Sequence, residues 1–198
     1  MAGAAGRFRQ AGIESPQREA RLLMSLASGL TTSQLILRGH MAAPNDVSET
    51  FDRMVGQREA RVPFQHIAGT TSFFGLDFIS DARALVPRAD SEVVVEAALN
   101  LLPDEPGLEI ADLGTGSGCL LVALLVTRAD VSGTGVEADA VAASLAAENI
   151  AQHGLESRAR LAVEPWAEWS GWGSVDLIIS NPPYIRTDVV ATLDPEVR

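Results

Sequence analysis

The residues of this chain best suited to chemistry are Asn181, Pro182, Pro183 and Tyr184, in the stretch "SNPPYI" that follows the apolar run "VDLII". Such a run predicts a buried strand, and the two prolines end it because neither can donate a ladder hydrogen bond. The strand therefore delivers a carboxamide to a loop at its end, where open α/β sheets bind ligands. A planar amine on an sp² carbon is a weak nucleophile, since its lone pair is delocalised. To make that nitrogen attack a methyl sulfonium, a site should accept hydrogen bonds from both N–H groups and aim the nitrogen in line with the methyl carbon. The side-chain carbonyl of Asn181 is one acceptor. The backbone carbonyl of Pro182 is a second, held in place by proline's rigidity, and Tyr184 is suited to pack on the planar group. A methyl donor that is already positively charged needs no strong base, so the rate gain comes from positioning.

A second constellation lies upstream. "ADLGTGSG" places Gly114, Thr115, Gly116, Ser117 and Gly118 between a predicted strand and a predicted helix. Without side chains, the glycines let a ligand approach backbone N–H groups at the helix N-terminus. A dinucleotide fingerprint would need glycine where Cys119 stands, and a P-loop would need Gly-Lys-Ser/Thr, so neither phosphate-binding pattern is met. Glu137 closes the next predicted strand, where a carboxylate can accept two hydrogen bonds from a ribose diol. Strand, glycine loop, helix, strand and acid form the layout for a nucleoside-containing cofactor.

The elements that must position these residues follow from the pattern of apolar positions. From "LEIADL" onward, apolar strands alternate with helical runs: "CLLVALLVTRA", "VSGTGVE", "AVAASLAAENIAQHG", "RLAVE" and "VDLIIS". That alternation predicts a parallel sheet covered on both faces, a Rossmann-like α/β domain. Before it, "VPRADSEVVVEAALNLL" predicts a helix that starts near Asp90 or Ser91, turns Val95, Ala98, Leu99 and Leu102 inward, and stops at Pro103. "HIAGTTSFFGLDFIS" has the aromatic, β-branched and glycine content of a hairpin turning near Gly75, with Phe73 and Phe74 expected in the core. Residues 15 to 62 read as a small helical bundle. Ser15-Pro16 provides a helix start, Leu23, Leu26, Ala27 and Leu30 form one face, and Val47, Phe51, Met54 and Val55 form another.

Three segments in this order, "FFGLDF" followed by "LVPRADSE", then "DLGTGSG", then "SNPPYI", resemble the release-factor glutamine methyltransferases, the HemK/PrmC family. The resemblance runs from about Gly12 to Arg198. It implies an N-terminal helical bundle for substrate recognition over residues 1–63 and a β-hairpin connector over 64–87. It further implies a class I methyltransferase domain over 88–198 that lacks its C-terminal strands. The implied reaction is transfer of a methyl group from S-adenosyl-L-methionine to the glutamine of the Gly-Gly-Gln loop in peptide-chain release factors. By the same resemblance, Gly114 to Gly118 line the methionine part of the cofactor and Trp166 lies beside the adenine. Asn181 through Tyr184 hold the substrate amide, with Asn181 also next to the cofactor. The family commonly has an acidic residue just before that aromatic, where this chain has Pro165 after Glu164. Asn-Pro-Pro-Tyr is shared with methyltransferases of adenine and guanine. Methylation of another protein's glutamine or of a nucleobase is therefore an alternative, as is a truncated fragment that binds cofactor or partner without turnover.

Composition narrows these readings. The 198 residues carry a formal charge of −11 and no lysine, all fifteen basic residues being arginines without a basic run. A direct grip on a nucleic-acid backbone needs clustered cations, so a protein or small-molecule partner is expected. The single cysteine, Cys119, excludes an internal disulfide framework and reads as a small core residue. His40, His66 and His153 have no metal-ligand spacing, so no metal site is expected. "CLLVALLV" is too short to span a bilayer and "MAGAAGRFRQAG" lacks a signal peptide's apolar core, which places the expected protein in the cytoplasm, away from the membrane.

Overall fold

The computed structural model describes residues 1–182. They divide into two compact units, Met1–Ala68 and the chain from Gly69 onward. The first unit is helical: α1 (Ala2–Gln10), α2 (Pro16–Ser28), α3 (Thr32–Leu37), α4 (Asn45–Glu59) and α5 (Phe64–Ala68). Its core gathers Ala4, Ala5, Phe8, Ile13, Ala20, Leu23, Phe51 and Val55. Helix α1 lies outside the expected 15–62 span. Its apolar face is mostly alanine, and Phe8 alone supplies a large buried side chain, so its periodicity is faint in the sequence.

Proline at the first position starts α2 as expected, and Gly29 in the left-handed region ends it. Ser15, however, sits at φ +51 and its hydroxyl makes no cap bond. Leu26, assigned to the inner face of α2, is exposed, and the buried positions are Ala20 and Leu23. The start of α3 is fixed reciprocally: the Gln34 N–H donates to Thr31 Oγ1 and the Thr31 N–H donates to Gln34 Oε1. Arg58, buried on α4, pairs with Glu19 of α2 and also donates to the carbonyl of Val62 at 3.2 Å, so the buried guanidinium is compensated.

The segment expected to open the hairpin begins instead with α5. The carbonyl of Pro63 accepts the Ile67 N–H at 3.2 Å and closes a helical turn before any strand starts. The hairpin itself is β1 (Thr70–Phe73) paired antiparallel with β2 (Leu76–Ile79). Phe74 at φ +51 and Gly75 at φ +73 supply the two left-handed residues that a two-residue turn between twisted strands requires. Phe73 is fully buried and Phe74 packs against the same core.

A short 3₁₀ turn at Ala89–Ser91 leads into α6 (Glu92–Leu101), which buries Val95 and Ala98. Then follow β3 (Glu109–Leu113), α7 (Cys119–Thr127), β4 (Ser132–Glu137), α8 (Ala140–Gln152), β5 (Ala159–Val163) and β6 (Leu177–Ser180). The four strands are parallel, in the order β5-β4-β3-β6. "VDLIIS" lies beside "LEIADL". Helix α7 is buried from Cys119 through Leu125, which explains why its sequence has no polar face. Its fit over the sheet depends on Gly133, where a Cβ would stand 2.7 Å from both Ile110 Cγ1 and Leu121 Cδ1. Among the described residues no helix is long and apolar enough to cross a membrane, and no His/Cys/Asp/Glu group could hold a metal ion.

Candidate active site

Strand register decides which residues meet. Leu113 of β3 is level with Val136 of β4 and with Ser180 of β6. The next residue along each strand is Gly114, Glu137 and Asn181, so the glycine loop, the acid and the carboxamide leave three adjacent strands at one height. Val136 is also level with Ala162 of β5, and Trp166 follows four residues later. The chain runs from β3 to β4 on one side, and β6 lies on the other. The crevice between Gly114 and Asn181 is thus the switch point of the sheet, where α/β folds bind ligands.

Gly114, Gly116 and Gly118 have φ values of +73, +54 and +79, so the loop needs glycine at all three positions. A Cβ at Gly116 would meet no atom within 4 Å, and one at Gly114 would meet only Trp166 Cζ3, at 3.8 Å. The loop thus presents bare backbone, with the half-exposed indole of Trp166 at its side. That is a fit for a ligand lying flat on the loop with a planar group against Trp166. Gly118 is different: a Cβ there would stand 3.2 Å from Ala146 Cβ, so this glycine serves the packing of α7 on α8.

The side chains of Thr115 and Ser117 are buried and face the core. The Thr115 hydroxyl donates to Asp112 Oδ2 at 2.7 Å, and the Gly114 and Thr115 N–H groups donate to the Val136 carbonyl at 2.8 and 3.2 Å. Asp112 is fully buried and its Oδ1 has no hydrogen-bond partner among the described residues. Burial raises its carboxyl from the ordinary 3.8 to about 6, against the Thr115 hydroxyl and the Leu121 N–H, which favour the anion; the charge of Glu137 raises it further. Glu137 Oε2 accepts the Gly116 N–H at 2.9 Å and Oε1 accepts the Asp139 N–H at 3.0 Å. The acid is therefore attached to the middle of the glycine loop, and a carboxylate with about four lone-pair sites still has acceptor capacity for a diol.

At the end of β6 the Ser180 hydroxyl donates to the Leu113 carbonyl at 2.7 Å, fastening the two strand ends on either side of the crevice. Asn181 is exposed, with Nδ2 donating to Ser91 Oγ at 2.9 Å. Pro182 is half-buried beside it. Pro183 and Tyr184 lie outside the described residues. Cys119 is a core residue whose thiol is pushed up to about 12 by burial, which leaves it without nucleophilic character.

Residues 1–69 match the family described as PrmC N-terminal domain, and residues 91–193 match the methyltransferase small domain. Proteins named release factor glutamine methyltransferase align along nearly the whole chain. That of Agrobacterium fabrum is 39% identical over 196 residues, covering 97% of this chain and 68% of the relative. The chain belongs to the release factor glutamine methyltransferase family. The Caulobacter vibrioides member is 35% identical across 97% of this chain, and the Rhodospirillum rubrum member 40% identical across 98%. The chain spans 66% and 59% of the length of those two relatives.

Three side chains that tie these loops and strand ends together have partners that only the folded chain brings near. Ser180 is one and Ser91 is another. The third is Asn149 on α8, fully buried, whose Oδ1 accepts the Ile79 N–H at 2.8 Å while Nδ2 donates to the carbonyls of Ile79 and Ser117 at 3.3 and 2.9 Å. Asn149 extends the edge of β2 with its own amide and ties the hairpin to the glycine loop. A polar residue in the alanine-rich run "AVAASLAAENIAQ" was the only hint available, and helix periodicity alone does not separate it from solvated neighbours such as Glu148.

Proposed function

We propose that this chain carries the S-adenosyl-L-methionine site and the amide-binding site of a methyltransferase that modifies the glutamine of the Gly-Gly-Gln loop in peptide-chain release factors at N5. The observation that supports this most is the strand register, which puts Gly114, Glu137 and Asn181 level on β3, β4 and β6. Backbone of the Gly114–Gly118 loop receives the methionine portion, the Glu137 carboxylate receives the ribose hydroxyls, and Trp166 packs against the adenine. When bound, the cofactor supplies a methyl group on a positively charged sulfur.

On the substrate side, Asn181 Oδ1 and the Pro182 carbonyl accept the two N–H groups of the glutamine amide. This points the nitrogen lone pair across the crevice toward the glycine loop. A nitrogen that has taken up the methyl group would carry one proton too many. That proton sits in one of the two accepted N–H bonds and leaves to water, so no residue here has to act as a strong base. Pro183 and Tyr184 complete the proposed amide pocket. The helical unit is proposed to recognise the body of the release factor, and the cytoplasm, where release factors work, is the proposed location. The test is a methylation assay offering release factor, a release factor with its Gly-Gly-Gln glutamine changed to alanine, and nucleic acid side by side. Methyl transfer to the intact protein alone supports the reading. Transfer to nucleic acid, or to the variant factor, overturns it.

A further inference from the structure

Ser91 occupies the N-cap position of α6, where a serine hydroxyl ordinarily accepts a backbone N–H of the first helical turn. Here it makes no cap bond. Its backbone is already helical, at φ −73 and ψ −14, and the buried hydroxyl is turned instead to Asn181 Nδ2, 2.9 Å away. Two further bonds hold this serine still. Its N–H donates to the Arg88 carbonyl at 3.0 Å, and its neighbour Glu92 accepts the N–H of Phe74, in the hairpin turn, at 2.8 Å. The "ADSE" segment thus links the hairpin tip to the end of β6.

The orientation of Asn181 matters because a carboxamide has two faces of opposite polarity. Turned one way it offers Oδ1 to a ligand, and turned the other way it offers two N–H donors. A substrate amide that must be received through its N–H groups is bound by the first and repelled by the second. We propose that Ser91 is a positioning residue for Asn181: by accepting from Nδ2, its Oγ fixes the side-chain amide with Oδ1 presented as the acceptor for the substrate amide. The catalytic consequence rests on the reading of the site as a glutamine methyltransferase, whereas the bond itself does not.

Two measurements separate these levels. The side-chain Nδ2 proton signals of Asn181, assigned by their loss in Asn181→Ala, should move in Ser91→Ala and return toward their original position in Ser91→Thr, which restores the hydroxyl. Signals that do not respond to Ser91→Ala would mean that Nδ2 makes no bond to the serine, and would overturn the proposal whether or not the chain methylates anything. In turnover, Ser91→Ala should lower kcat about tenfold, the scale of one hydrogen bond, with the cofactor Kd unchanged. Ser91→Thr should recover most of the loss. Because Ser91 acts through Asn181, adding Ser91→Ala to Asn181→Ala should cost nothing more, and losses that multiply would overturn the positioning role.

Discussion

Replacing Glu137 tests the site where cofactor binding and loop structure meet. Its two oxygens accept the N–H groups of Gly116 and Asp139 at 2.9 and 3.0 Å, and the same carboxylate is proposed to receive the ribose diol. Glu137→Ala removes both the diol acceptor and the bond to the middle of a loop whose glycines sit in the left-handed region. Hydrogen bonds to a charged group contribute about 1.5–3 kcal/mol each, but water partly replaces them at a half-exposed position. We therefore expect cofactor affinity to fall by about 1–3 kcal/mol, which is about 5- to 150-fold. Glu137→Gln should lose nearly as much, because both oxygens face N–H donors and one end of the glutamine amide would be a donor too. Titration calorimetry with S-adenosyl-L-methionine and its 2′- and 3′-deoxy analogues separates the two contributions. The analogues should lose less than the parent cofactor but still lose something, since the Gly116 contact is independent of the ribose. Unchanged affinity in Glu137→Ala would refute the reasoning, and equal losses for all three ligands would show that Glu137 only holds the loop.

Asn181→Ala should leave cofactor affinity nearly intact and cut turnover about 100-fold or more, the scale of removing one preorganised partner in a transition state; steady-state rates with release factor check it. For Asp112, the folded carboxyl titrates at about 6, above the ordinary 3.8, so the folded chain binds the proton more readily than the unfolded one. Stability should then be highest at or below pH 4 as far as this group is concerned and decline as pH rises through 6, by about 3 kcal/mol in total. Asp112→Asn should remove that slope, as read from denaturation midpoints between pH 4 and 7. Asn149→Ala leaves the N–H and carbonyl of Ile79 and the carbonyl of Ser117 without their partner in a buried place. It should cost about 2–4 kcal/mol in urea unfolding, whereas a cost under 0.5 kcal/mol would mean water takes its place.

Much of this was legible in the order of residues. The four parallel strands, the helices between them, the hairpin turn at Gly75 and the glycine loop are all set by local signals: apolar runs of strand length, proline and glycine stops, and turns that only glycine adopts without strain. Prolines 182 and 183 announce the end of β6, and the carboxamide just before them announces a site. What stayed hidden has a common physical cause. Helix α1 is held by tertiary burial of Phe8 against a face made mostly of alanine, and α5 is one turn long, so neither has enough periodicity to be read locally. The strand order β5-β4-β3-β6 is a choice among topologies, and only that choice brings Gly114, Glu137 and Asn181 to one height. The bonds that Ser91, Asn149 and Ser180 make to Asn181, Ile79 and Leu113 are not legible in sequence because these partners are 90, 70 and 67 residues away. The sequence determined by itself which groups the chain would display, because displayed groups sit at strand ends and turns that local chemistry dictates. The tertiary structure alone decided which way those groups face, because a carboxamide or a carboxylate takes its orientation from hydrogen-bond partners that only folding brings near.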